Sequence, residues 1–483
     1  MQSPRNVPFL SVPTSRRRLL HRAAGGFGAL ALAGIWADLA RAGQAPATLS
    51  DPLAPKSGHF PARAKTVIFI FSTGGCSHVD TFDHKPKLFA AHGQTVAAAA
   101  PGNKSGASGN FLKRPNWDFK PRGACGTMVS DLLPHLGSCA DDLCLINSLH
   151  GDSGGHDKAT MGMHTGSFNF ARPSVGAWVS YGLGTENRNL PSFMVLAPAP
   201  PYTGTQAWGA DFLPGCHQGT HVVPGAPGKA PIPDVARLAP SDELQQMELE
   251  LLGGVNRKHQ QQRAADAALE AQIRSFETAF GMQKAAPEAF DLSKETDATL
   301  ELYGLKREAA SGAGFAWQCL MARRLAERGV RFIELLDVGS SHNWDSHGDM
   351  EDHAKLARNM DRPLAGLIKD LKSRGLLDST LLVWTTEFGR TPYNPAKDAK
   401  GRDHHNAVFS SWLAGGGMKG GTVYGKSDDI GACVAENGVH VHDLHATILH
   451  LLGLDHEKLT YRFSGRDFRL TDVAGRVVKD VIA

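Results

Sequence analysis

Histidine, carboxylate and arginine side chains gather at four places in this chain, and their types and spacing suit the capture of a divalent cation. The densest is Ser341–His353, where three histidines and four carboxylates fall within twelve residues. Imidazole nitrogens beside carboxylate oxygens match borderline ions such as zinc or manganese. Asp345 and His347 are the candidate ligands there. A second group begins at Thr385, with Glu387 and Arg390 three residues apart. Fourteen residues beyond Glu387 begins Gly401-Arg402-Asp403-His404-His405-Asn406, whose tandem histidines are candidates for a metal or a substrate. In the third, Gly154-Gly155 precedes His156 at a helix start. Backbone N–H groups of such a turn can face an anion, and His156 can be ligand, nucleophile or acid/base group. The fourth holds Asp80, placed to reach the same crevice, and Asp83, whose Pro-containing context reads as a cap.

These groups have plainer readings too: a polar loop whose histidines cap a helix, a surface histidine pair, a histidine beginning an ordinary helix. What favours chemistry is their place in the pattern of elements. Thr66–Phe71, Phe193–Leu196, Val330–Leu336 and Leu381–Thr386 are continuous apolar runs with helical stretches between them, notably 351–374. Buried strands alternating with helices predict an α/β fold, a mostly parallel sheet covered on both faces. Ligands of such sheets bind beyond the carboxyl ends of the strands, where these loops emerge. Residues 91–116 read as a mobile loop. From Ser241, a plausible N-cap, to Gly281 a charged amphipathic pattern predicts a helical hairpin inserted at about 241–310. The run at 260–263 is most simply its solvated face.

The 483 residues are 42% hydrophobic and 20% charged, a globular composition with a net charge of +3. Residues 1–42 hold six arginines against one acid, leaving 45 basic and 47 acidic residues in the remainder. No global basic field exists, so nucleic acid is not an expected partner. Arg16-Arg17 before the apolar stretch Ala23–Ala40, then Ala40-Arg41-Ala42, form a twin-arginine secretory signal. The stretch is short, weakly apolar and broken by Asp38, which disfavours a membrane anchor surviving cleavage. The protein is expected in the periplasm or secreted. Residues 43–63 read as a linker, with the α/β domain over 64–483. Export permits disulfides among the seven cysteines. Cys139 and Cys144 are close enough to pair, with Cys125 as competitor, and the odd count leaves one over. No P-loop, H-E-x-x-H or G-x-S-x-G element occurs, so no nucleotide cofactor is expected.

The segments GGCSHVDTFDHKP, NWDSHGDMEDH, TTEFGRTPYN, GRDHHN and VHDLHATILHLLGLDHEKL, in this order, resemble the bacterial exported family known as domain of unknown function 1501. The resemblance covers roughly residues 64–483. It implies the three-layer α/β fold of the alkaline phosphatase superfamily, relative of sulfatases and cofactor-independent phosphoglycerate mutases. That superfamily clamps a phosphoryl or sulfuryl group between two divalent metals about 4 Å apart while Ser, Thr or formylglycine attacks. The resemblance sets its first Asp ligand near Ser72 or Thr73, absent here unless Asp80 substitutes. The nucleophile falls on His156, a histidine in place of a hydroxyl. The D-x-x-x-H pair falls on Asn343 and His347, with Asp345 between them. The Asp-His pair falls on Glu387 and Phe388, and the last His on His404 or His405. The two-metal site is therefore not intact, and no C-x-P-x-R or S-x-P-x-R precursor of formylglycine occurs.

The expected function is an exported metal-dependent hydrolase of phosphate or sulfate esters with a rearranged site. One or two ions, zinc or manganese, would be held by Asp345, His347, Glu387 and His404, with His405 and Asp80 as further candidates. Arg390 or Arg402 would neutralise a small anionic substrate, and His156 would be nucleophile or general acid. The alternative is a non-catalytic protein on the same scaffold that binds an anion, a glycan or a partner.

Overall fold

The computed structural model describes residues 51–96, 109–224, 231–232, 239–262, 267–307 and 314–483. The expected signal at 1–42, the middle of the expected loop at 91–116 and the start of the expected linker at 43–63 lie outside them. The four apolar runs become strands β1 (Thr66–Phe71), β3 (Phe193–Leu196), β5 (Phe332–Leu336) and β6 (Thr380–Thr385), each buried along its whole length. Five more complete the sheet: β2 (Leu143–His150), β4 (Thr220–Val222), β7 (Phe409–Ala414), β8 (Thr422–Tyr424) and β9 (Val439–His440). The order is β8-β2-β7-β6-β1-β5-β3-β4, with β9 also paired to β2. Only β7 runs against its neighbours; every other pairing is parallel.

Because strand side chains alternate, β1 feeds two cores. Ile68 and Ile70 join α5 (Phe315–Glu327) and α6 (Asp352–Ser373) on one face; Val67, Phe69 and Phe71 join α2 (Val175–Leu183) and α7 (Val441–Leu451) on the other. The result is a three-layer α/β sandwich. In α6, Leu356, Met360, Leu364, Leu367 and Leu371 repeat every three or four residues and are buried, which fixes that helix on the sheet. The helix α1 (His156–Thr165) ends at Gly166, whose φ of +66 leaves no room for a Cβ: it would lie 2.2 Å from the Leu470 carbonyl oxygen.

The chain divides into two compact units, the larger comprising residues 51–237 and 270–483 and the smaller including 238–269. The predicted insertion holds two long helices, α3 (Asp242–Gln262) and α4 (Ala267–Phe290), and the short helix Asp297–Tyr303. Residues 51–63 carry no regular element but are not free: Leu53 is buried, and the Arg63 and His59 amides donate to the Leu451 and Gly453 carbonyls. Phe111–Leu112, in the predicted loop, pairs with Tyr393–Asn394. All seven cysteines are free thiols. The expected pairing of Cys139 with Cys144 fails because they enter cores on opposite faces of the sheet. No helix among the described residues is long and apolar enough to cross a membrane.

Burial keeps five histidines neutral, lowering pKa values from 6.5 to about 3 for His78, His217, His353 and His445 and to about 4 for His405. Asp337, raised by burial to about 7, opposes them, as do His156 and His164, whose pKa values neighbouring carboxylates raise despite burial. The unfolded chain binds the histidine protons first, so their contribution is complete above pH 6.5 and is lost as pH falls towards the folded values. Each histidine adds up to about 1.4 kcal/mol per pH unit in that window. The urea midpoint should drop clearly between pH 7.5 and pH 5; an unchanged midpoint would contradict this account.

Candidate metal centre

Five strand ends converge on one edge of the sheet. Past β1, Gly74 and Gly75 take φ values of +112 and +84, and a Cβ on either would lie 2.6 Å from Asn343 or Phe388. These glycines let the loop run beneath the site, with the Gly74 amide donating to Glu387 Oε1 at 2.8 Å. Past β5, Asp337 accepts from the Val338 amide and the Trp344 indole, while the Trp344 amide donates to the Thr73 carbonyl. That lacing delivers Asp345. Glu387 and Arg390 follow β6. His156 opens α1 after β2, and His404 and His347 come from the loops before β7 and after β5.

The structure brings His156, Asp345, His347, Glu387 and His404 together. Asp345 Oδ1 lies 3.0 Å from His347 Nε2 and 3.1 Å from His404 Nε2; Asp345 Oδ2 lies 3.3 Å from His156 Nε2. The Nε2 atoms of His347 and His404 are 2.9 Å apart. Ligand atoms of His156, Asp345 and His404 all lie within 4.8 Å of one another, a grouping able to hold a metal ion. Each ring is pinned through its other nitrogen: His156 Nδ1 to Glu387 Oε1 at 2.8 Å, His404 Nδ1 to the Gly154 carbonyl at 2.7 Å, His347 Nδ1 to Asp403 Oδ1 at 3.1 Å. Carbonyl and carboxylate oxygens only accept, so each Nδ1 carries a proton and each ring turns its Nε2 towards Asp345.

Charge is arranged accordingly. Burial disfavours ionised Asp345, but the facing His156 and His404 rings and the Arg390 guanidinium hold it far below the usual carboxylate range. Burial opposes protonation of His156, yet Asp345 and Glu387 outweigh it and raise its pKa. Tyr202 stacks on the His156 ring with centroids 4.0 Å apart, and its hydroxyl accepts from the Asn343 amide.

Of the remaining sequence candidates, Arg390 reaches the site through Asp345, whereas Asp80, Arg402 and His405 are engaged elsewhere. Asp80 and Arg402 form an ion pair at 2.8 Å with both side chains fully buried. The other Arg402 donors go to the Thr391 and Arg114 carbonyls, so this guanidinium does not face a substrate. Arg390 is likewise buried, spending its donors on the Gly74, Gly75 and Arg402 carbonyls and on Asp345. His405 faces away and meets the Ala432 carbonyl at 2.8 Å. Glu387, whose side chain is wholly buried, also takes the Thr386 hydroxyl and has its oxygens engaged. Asp403, Asp337 and Tyr202 were not singled out from sequence. Asp403 stands inside the Arg-Asp-His-His segment and Asp337 directly after a buried strand, so a local signal existed; Tyr202 left none.

Among solved structures, the lipoteichoic acid synthase LtaP from Listeria monocytogenes is 10% identical, covering 86% of this chain and 78% of its own, with a TM-score of 0.36. The PsFucS1 sulfatase from Pseudoalteromonas sp. is 13% identical (82% and 69%, TM-score 0.33). The alkaline phosphatase from the Antarctic bacterium TAB5 is 9% identical (81% and 99%, TM-score 0.32). Likeness at this level says nothing about the reaction here. No curated protein matches the chain. The family model for the protein of unknown function DUF1501 matches residues 64–482, and the chain belongs to that family.

Proposed function

We propose that this protein is an exported, divalent-metal-dependent hydrolase of small phosphate or sulfate esters, with one zinc or manganese ion held by His156, Asp345, His347 and His404. The observation that carries the reading is the convergence of three Nε2 atoms on one carboxylate. Buried His156 Nε2 makes no well-directed hydrogen bond, and the Nε2 atoms of His347 and His404, 2.9 Å apart, need a proton or a cation between them. Separations near 3 Å are close to the roughly 3.3 Å between ligands of a tetrahedral ion bound at about 2.0–2.1 Å. When bound, the metal supplies Lewis acidity and lowers the pKa of a water.

This chain's residues do the rest. Glu387 fixes the His156 tautomer, Asp403 that of His347 and the Gly154 carbonyl that of His404, the positioning that metal-facing imidazoles require. Arg390 holds Asp345 ionised and aimed. His156 is read as a ligand rather than a nucleophile, and Glu387 as its positioning partner. Metal and proton compete for His156, so metal affinity falls as pH drops through the raised pKa of that ring. The arginine run before Ala23–Ala40 supports twin-arginine export to the periplasm or beyond.

The burial of Arg390 and Arg402 favours one competing reading, a non-catalytic binding protein. The two part in an assay of chelator-treated protein on p-nitrophenyl phosphate and sulfate. The hydrolase reading expects turnover restored by zinc or manganese, with Glu387→Gln raising the metal needed by about 10–100-fold. Tight metal binding without turnover of either ester would favour the binder. Unchanged metal affinity in Glu387→Gln would remove its positioning role.

A further inference from the structure

The four ligands proposed above are not held alike. The His156 ring packs against Tyr202 and Phe388, with centroids 4.0 and 4.9 Å away, and its Nδ1 meets the wholly buried Glu387 side chain. His404 packs on Phe388 at 4.5 Å, pairs in register with Arg390, and directs its Nδ1 to the Gly154 carbonyl. Asp345 is engaged by the buried Arg390 guanidinium. The His347 side chain, in contrast, is 45% exposed, against 14% for His156 and 25% for His404, and its Nδ1 partner Asp403 is 54% exposed. Such an exposed pair contributes little, and exposed side chains change rotamer quickly. The backbone carrying His347 is fixed all the same. Trp344 and Ser346 are buried, the Arg402 amide donates to the Ser346 carbonyl at 3.2 Å, and Gly401 packs so closely on the His347 carbonyl that a Cβ there would strike it. Movement is therefore confined to the imidazole.

We propose that His347 is the exchangeable ligand of this site, its imidazole rotating towards solvent and yielding its position to the anionic group of an ester. The inference rests on the metal-dependent hydrolase reading. Four protein ligands close a tetrahedral ion, as in structural sites, whereas a catalytic ion keeps three and leaves one position open. One of the four must therefore leave for chemistry to occur, and burial decides which. With His347 turned out, His156, Asp345 and His404 remain, the three whose ligand atoms all lie within 4.8 Å of one another. Each of these three keeps its buried or backbone partner when His347 moves, so the exchange leaves the rest of the site in place.

Two measurements on chelator-treated protein test this: calorimetric titration with zinc, and the visible spectrum of the cobalt(II)-loaded protein, whose d–d bands report coordination, with and without inorganic phosphate. His347→Ala should lower zinc affinity by less than about 10-fold, whereas His404→Ala should lower it by about 100-fold or more. Phosphate should shift the wild-type cobalt spectrum until it coincides with that of His347→Ala given phosphate, because the same three ligands then hold the ion. Thermal melts matching wild type will show that both variants fold. Equal losses of zinc affinity in the two variants overturn the exchange, as does a wild-type cobalt spectrum that phosphate leaves unchanged; either result leaves the metal site standing as a closed one. Wild type that takes up neither zinc nor cobalt overturns the metal reading itself, and this inference with it.

Discussion

Asp345→Ala should lower the affinity for zinc or manganese by about 100-fold or more, beyond the 10–100-fold typical of positioning residues. Asp345 is the carboxylate on which His156, His347 and His404 all converge, at 3.3, 3.0 and 3.1 Å. Without it, three imidazoles remain beside a buried guanidinium whose charge then repels a metal. The cost to the fold is smaller. Arg390 keeps the Gly74, Gly75 and Arg402 carbonyls, so losing one charged partner costs about 1.5–3 kcal/mol. Asp345→Asn, which keeps the shape and removes the charge, should bind almost as poorly. Calorimetric titration with zinc decides this; wild-type affinity in Asp345→Ala would show that the cluster does not hold the ion.

Arg402→Ala should destabilise the protein by about 3–5 kcal/mol, because it strands a fully buried Asp80 carboxylate. Asp80 would retain only the Ser77 hydroxyl and the Asn116 amide, and the Thr391 and Arg114 carbonyls would lose a donor. Burial alone would push Asp80 towards neutrality, and it is the Arg402 guanidinium, with those bonds, that keeps its pKa low. Replacing both partners together, Asp80→Asn with Arg402→Met, should recover much of the loss, since a buried ion pair gains little over a well-packed neutral one. Urea unfolding measures both variants. An Arg402→Ala protein as stable as wild type but weaker towards an anionic ester would instead put Arg402 at the substrate.

The sheet was legible where hydropathy alone marks it. Runs such as Thr66–Phe71 and Leu381–Thr385 are apolar throughout because helices cover both faces of a parallel sheet. Strands β2 and β7 went unread because their buried polar groups satisfy one another. Ser410 donates to Asn147 and Ser411 to the Trp384 carbonyl, contacts that only the folded sheet creates. The candidate site was legible as a set of strand ends, which brought Asp345, His347, Glu387, His404 and His156 within reach. Their roles were not, since a histidine's role depends on what its second nitrogen meets. Glu387 looks like a ligand in sequence and stands behind His156 in space. Nor does any local pattern show that Arg402 is matched by Asp80, 322 residues away.

The central claim, a divalent ion held at the converging Nε2 atoms, is tested most directly by the metal content of wild type and His404→Ala purified without chelator, read by plasma mass spectrometry. About one equivalent of zinc or manganese in wild type, lost in His404→Ala while the fold persists, is the predicted result. Well-folded wild type that carries no metal, and takes up none on incubation with zinc or manganese, would contradict it.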